Sequence, residues 1–154
     1  MESTYQEKFY PNGSIRWQEW YLNEKLHREN GPASIGYYSN GSIRSQTWFL
    51  NGEYHRYDGP AIIIYHPTGS IWWQEWYLNG KRHRENDPAL IDYLPGGSIE
   101  KESWWLNGKE LTKEEIARHK RKISNNHKVL LLQSSFSSFN EFEKWLIPEI
   151  VNLI

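Results

Sequence analysis

His27-Arg28, His55-Arg56 and His83-Arg84 repeat one dipeptide at a step of 28 residues. Imidazole and guanidinium are the groups of metal ligation, proton transfer and phosphate binding. The spacing argues against the first two. Adjacent strands lie about 4.8 Å apart, so equivalent residues two or three strands away stand about 10–14 Å apart. Zinc holds nitrogen at about 2.0–2.1 Å, so three equivalent histidines cannot meet on one ion. An acid–base pair has no use for three spaced copies of itself. The structural reading is therefore a brace: each His orients a short return arm. Each Arg stacks on a ring or pairs with Asp58, Glu29 or Glu85. The functional reading is a row of cations that binds phosphate or an acidic partner.

Trp72-Trp73 is the second feature with chemical potential. Neighbours in a strand point to opposite faces, so one of the two rings leaves the main core face. Such a ring can stack a base or grip a protein, although packing in the core or under a cap is the reading preferred. The basic run from Ala117 to Lys128 contains Arg118, Lys120, Arg121 and Lys122. It reads as a solvated helix face, which makes nucleic acid an unlikely partner. No phosphate-binding Gly-rich loop, zinc-protease helix motif or nucleophile elbow occurs.

Composition narrows the field further. The 154 residues suit one domain with a core of its own, and a net charge of −1 sets no expectation of DNA or an anionic membrane. Mean hydropathy is low at −0.82, but aromatics make up 16% of the chain, more than a disordered sequence carries. With 9 Trp, 10 Tyr and 1 Met, the expected core is flat rings with Leu and Ile. The absence of cysteine removes disulfides, thiolate metal sites and a Cys nucleophile. No basic–apolar leader and no apolar run near the roughly 20 residues of a membrane span is visible. A soluble, cytoplasmic protein without cofactor is the expectation.

The elements that must position these residues follow from the same 28-residue step. Gly-Ser-Ile begins at Gly13, Gly41, Gly69 and Gly97. Trp20, Trp48, Trp76 and Trp104 form a parallel column, as do Leu-Asn at 22, 50, 78 and 106 and Pro-Ala at 32, 60 and 88. Four in-register copies predict a stacked array in which each unit buries its apolar face on its neighbours. In the third copy "AIIIY" reads as a strand, "HPTGS" as a turn and "IWWQEWYL" as a second strand. Asn79-Gly80 then signals a tight hairpin and "KRHR" a return arm. The fold class is mainly β, an antiparallel β-meander over 1–112. Alternation places Ala61, Ile63, Tyr65, Gln74, Trp76 and Leu78 on the core face, with a bulge between Ile71 and Trp76. Ile62, Ile64 and His66 belong to a variable face for solvent or ligand.

The last copy exits differently, into a helical C-terminal cap over 113–154. Thr112 and Glu115 form a capping box, which predicts a helix from Lys113 to about Ile123 that ends in "SNNH". "KVLLLQ" stays open between strand and helix. Ser138 and Glu141 form a second capping box, with Pro148 interrupting the helix that follows. Arrays need covered ends, so this segment is expected on the last sheet or on a second copy. Open sheet edges favour a homodimer.

"WYLNGKRHRENDPA" and "WYLNEKLHRENGPA" resemble the repeats of bacteriophage and giant-virus proteins similar to MORN arrays, over roughly Tyr5 to Thr112. Glu24, in place of a turn Gly, and Asp87, in place of Gly before Pro88, depart from the pattern. MORN-type arrays are mostly scaffolds and binding modules. The resemblance thus implies a non-enzymatic viral protein that engages a host or viral protein in the host cytoplasm, through Arg28, Arg56, Arg84, His27, His55, His83, Trp72 and Trp73. The alternative is a sponge for a nucleotide-type immune signal, with rings stacking the base and guanidinium groups clasping phosphate.

Overall fold

The computed structural model describes residues 2–126 and 128–130. Eight strands follow one another across one antiparallel sheet in the order β1 (Ser3–Phe9), β2 (Ile15–Leu22), β4 (Ser34–Tyr37), β5 (Ile43–Thr47), β8 (Ile62–Tyr65), β9 (Ile71–Glu75), β12 (Leu90–Tyr93) and β13 (Ile99–Ser103). A short ninth, β3 (Lys25–Leu26), pairs with the far half of β2. Three small hairpins lie off this path: β6 (Phe49–Leu50) with β7 (Glu53–Tyr54), β10 (Tyr77–Leu78) with β11 (Lys81–Arg82), and β14 (Trp105–Leu106) with β15 (Lys109–Glu110).

Two turn chemistries generate this meander. Within each long hairpin a three-residue loop closes on a left-handed glycine. At Gly41, φ is 86°, the Gly41 N–H donates to the Tyr38 carbonyl, and the Tyr38 N–H to the Ser42 carbonyl. The small hairpins use an Asn-Gly pair with both residues at positive φ, 54° at Asn51 and 84° at Gly52, the geometry that matches the twist of a two-residue hairpin. In the first copy Glu24 occupies the second position at φ 62°, a conformation that costs an L-residue about 1–2 kcal/mol. The bulge expected near Ile71 is present: Ile64 pairs with Trp73 and Tyr65 with Ile71, so Trp72 is the extra residue.

The eight-residue run expected as one strand is divided at Trp48, Trp76 and Trp104, and only β2 is continuous. The division reflects what pairs with the run. The Trp48 and Trp76 N–H groups donate to the carbonyls of Ala61 and Ala89, and the Trp48 and Trp76 carbonyls accept from the His55 and His83 N–H groups. Each Trp is thus a corner that turns the chain from sheet to small hairpin. Trp20 makes the same hydrogen bonds, to Ala33 and from His27, yet its strand stays whole. Continuous β2 is paired along its whole length by β1. At these corners sits the core, where Ala33, Ala61 and Ala89 have no exposed surface and Ile63, Ile91 and Trp104 are buried.

Side chains bind the sheet together at the same step. The Tyr37, Tyr65 and Tyr93 hydroxyls donate to Gln18, Gln46 and Gln74 Oε1 at 2.7, 2.8 and 3.0 Å. The opposite face, expected to meet solvent or ligand, instead hides a charge. Glu75, paired across the ladder with Ile62, is 2% exposed and accepts from Arg82 Nη2 at 2.8 Å and Nε at 3.2 Å.

The chain divides between Leu111 and Thr112 into two compact units. In the second, the Thr112 N–H donates to Glu115 Oε2 at 2.9 Å, and the Glu115 N–H to Thr112 Oγ1 at 3.2 Å, the reciprocal box read from the sequence. The helix α1 runs over 113–126, past the expected stop at Ile123. Ser and Asn have modest helix propensity, but they do not break a helix as Gly or Pro does. Residues 128–130 are also helical. The expected second capping box and Pro148 lie outside the described residues. Among the described residues no helix is long and apolar enough to cross a membrane.

Candidate functional site

The His-Arg arms run along one edge of the meander, each tied to the next copy. The Asn51 and Asn107 N–H groups donate to His27 and His83 Nδ1 at 3.1 Å, and the Asn79 N–H donates to His55 Nδ1 at 3.2 Å. At His55 and His83 the backbone amide is the Nδ1 partner, so Nδ1 accepts and the proton sits on Nε2, while His27 Nδ1 also lies 3.0 Å from Asn51 Oδ1. Two backbone bonds flank each such link. The Gly52 N–H donates to the Leu26 carbonyl at 2.8 Å, and the Arg28 N–H to the Phe49 carbonyl at 3.2 Å. The histidines are thus rungs between copies, and among the described residues no group of three His, Cys, Asp or Glu could hold a metal ion.

The arginines are braced within their own copies. Arg28, Arg56 and Arg84 lie over the rings of Trp20, Trp48 and Trp76, with Cζ 3.9, 4.0 and 3.9 Å from the ring centroids, well inside cation–π range. Each Nη1 donates to the carbonyl of Pro32, Pro60 or Pro88 at 3.2–3.3 Å. The following loop closes over the guanidinium. A Cβ at Gly59 would stand 2.8 Å from Arg56 Cζ. Arg56 also pairs with Asp58 at 2.9 Å, and Arg84 with Asp87 at 3.0 Å. Arg56 holds the exposed Asp58 carboxyl below its usual pKa. Asp87, which departs from the Gly-Pro pattern, therefore has a local reason to be there.

Between successive arms the edge opens into clefts. The larger, about 700 Å³, is lined by Arg28, Glu29, Trp48, Phe49, His55 and Tyr57 among others. A smaller one of about 320 Å³ lies one copy further, with Arg56, Trp76, Tyr77, His83 and Arg84 on its walls. Tyr57 stands between them, 82% exposed, its ring edge-on to His55 at 4.6 Å. No column flags this residue, because Glu29 and Glu85 occupy the equivalent places. That break in the pattern is the signal that could have found it.

Trp72 and Trp73 are separated as expected from neighbours in a strand. Trp72, the bulged residue, is 48% exposed and stacks on His66 at 5.5 Å. Trp73 is half-buried in the ladder, and its indole N–H has no hydrogen-bond partner. Neither lines the clefts described above, so the arms and the Trp pair are two separate features.

The titratable side chains most displaced from ordinary values are tyrosines. A hydrogen bond to Glu19 pushes Tyr21 up to about 12. Burial, assisted by Glu75, pushes Tyr77 up to about 12. Burial opposes the charge on Arg82, but Glu75 outweighs it and the pKa lies above its usual value. The Glu75–Arg82 pair has no equivalent in the neighbouring copies, where Thr47 and Tyr54 or Ser103 and Glu110 stand. No family model, no curated protein and no solved structure matches the chain.

Proposed function

We propose that the meander is an array of four 28-residue units of MORN-like type, and that it acts as a non-enzymatic viral binding protein. Its loop edge, with Tyr57 at the centre, engages a host or viral protein in the host cytoplasm. The observation that carries this reading is the exposed Tyr57 between two clefts floored by Trp48, Phe49, Trp76 and Tyr77. Tyr and Trp on a rigid frame give large contact area at small entropic cost, which makes them the usual anchors of protein interfaces. The hydrogen bonds and cation–π stacks recurring from copy to copy support the array and supply that rigidity.

The nucleotide-sponge reading draws less support from the same geometry. One face of each guanidinium already lies on a Trp ring, one nitrogen is spent on a Pro carbonyl, and Arg56 and Arg84 are paired with carboxylates. Little remains to stack a base and clasp phosphate at the same guanidinium.

A photo-crosslinking amino acid at position 57 tests the proposal in cells that express the protein. The expected result is a discrete protein adduct that is absent when the same group replaces Leu94 at a loop tip. A nucleotide-sized mass retained in native mass spectrometry, with no adduct from position 57, would refute it in favour of the sponge.

A further inference from the structure

The three arms differ in how their cations are neutralised, and the differences converge on one cleft. Arg56 meets Asp58 and Arg84 meets Asp87. At the two corresponding positions of the first loop stand Asn30 and Gly31, and Arg28 has no carboxylate within ion-pair distance among the described residues. The imidazoles differ in the same way. His27 Nε2 has Glu29 Oε1 at 4.0 Å. His55 has Tyr57 in that place, and its Nε2 is buried with no hydrogen-bond partner. The Asn79 N–H occupies Nδ1, so Nε2 carries the proton and is an orphaned donor. A buried donor without a partner is destabilising, and a ligand's acceptor would recover that loss. Arg28 and His55 both line the 700 Å³ cleft.

We propose that this cleft is an anion site for an acidic segment of the bound protein, one carboxylate on Arg28 and a second on His55 Nε2. The assignment rests on reading the loop edge as a protein-binding surface. Two strand spacings separate the two donors, about 10 Å of backbone, too far for one small anion to count on both. Alternate residues of an extended segment stand about 7 Å apart, and two flexible carboxylate side chains cover the remainder. The cleft's own carboxylates are accounted for: Asp58 is held by Arg56, and Glu29 lies beside His27. The charges of Arg28, Arg56, Glu29 and Asp58 sum to zero, so the cleft has no net charge excess even though Arg28 itself has no carboxylate partner among the described residues. Recognition therefore comes from short-range hydrogen bonds. Tyr57, edge-on to His55 and largely exposed, rotates aside to admit the second carboxylate.

The test titrates the full chain with an end-blocked Gly-Glu-Phe-Glu-Gly peptide, its Gln counterpart and inorganic phosphate. It reads the Arg28 Nε–H and His55 Nε2–H signals by NMR. The Glu peptide is expected to saturate both signals and the Gln peptide to bind at least about tenfold more weakly, the factor that one charge-assisted hydrogen bond supplies. Asn30→Asp and Tyr57→Glu install the carboxylates found in the other loops. Each is expected to keep or raise the melting temperature and to weaken the Glu peptide about tenfold. Equal affinity for the Glu and Gln peptides, or full affinity in the Asn30→Asp/Tyr57→Glu double variant, overturns the site. Phosphate saturating both signals without a response to the peptide overturns the peptide assignment. An adduct from position 57 together with indifferent peptides removes the anion site and leaves protein binding standing.

Discussion

Arg82→Leu is the most informative single perturbation of the fold. It leaves the Glu75 carboxylate, 2% exposed, without the two guanidinium hydrogen bonds at 2.8 and 3.2 Å. Breaking a buried pair from one side costs about 3–5 kcal/mol. The Arg82 side chain is 21% open to water, so some solvent reaches the vacated space and the lower end applies. The lost stack on Trp105, 4.5 Å from Cζ, adds about 0.5–1 kcal/mol. The expected cost is about 3–4 kcal/mol. Glu75→Thr alone should cost less than Arg82→Leu, because the stranded guanidinium, already 21% open to water, can turn outward. The double variant Glu75→Thr/Arg82→Tyr restores the pair of the preceding copy, Thr47 and Tyr54, whose ring packs on Phe49 at 4.5 Å. It should lie within about 1 kcal/mol of the parent, since apolar replacement of a buried pair is often neutral. Urea unfolding followed by Trp fluorescence, with m-values unchanged, measures all three. An Arg82→Leu cost under about 0.5 kcal/mol, or a double variant as unstable as Arg82→Leu, would falsify the claim that Glu75 depends on Arg82.

Glu24→Gly should stabilise the protein by about 1 kcal/mol, the cost of holding an L-residue at φ 62°, seen as a higher urea midpoint; an unchanged midpoint argues against strain at that turn. His83→Leu removes the acceptor of the Asn107 N–H and should cost about 1–2 kcal/mol, with faster amide exchange at Asn107 as the local readout. Tyr21 and Tyr77 hold their protons up to about 12 when folded, against about 10 when unfolded. The unfolded chain therefore binds fewer protons above pH 10. The stabilisation is complete below pH 10 and lost as pH rises through 12. Absorbance at 295 nm should show two tyrosines titrating late, a step absent from Tyr21→Phe/Tyr77→Phe.

The parts of this fold legible in the sequence are those that local chemistry decides. Asn51-Gly52 calls for a tight turn whatever surrounds it, and Thr112 with Glu115 starts a helix by its own hydrogen bonds. The column step also fixes which residues are equivalent, so the bulge beside Ile71 was readable. Less legible was anything decided by a distant partner. Whether "IWWQEWYL" is one strand or two depends on a neighbour that pairs its whole length, as β1 does for β2. Glu75 alternates onto a face that looks solvent-exposed, and only Arg82, folded back from the far side of a turn, makes its burial tolerable. At the arms, a ring or Asp58 as partner for arginine could be anticipated. Asp87 as the partner of Arg84 could not, because it reads as a lapse from the Gly-Pro pattern.

The histidine links along the array all have one direction. His27, His55 and His83 each offer a ring nitrogen to an amide 24 residues ahead. In the fourth copy Leu111 stands at that position and has no side-chain acceptor to offer. Recombination between any two equivalent points upstream of Leu111 adds or removes a whole rung and leaves every donor with its acceptor. A shift of any other length breaks the link it interrupts. The length of the loop edge is thus a quantity that gene duplication can adjust one step at a time, while the single Leu111 marks where the count stops.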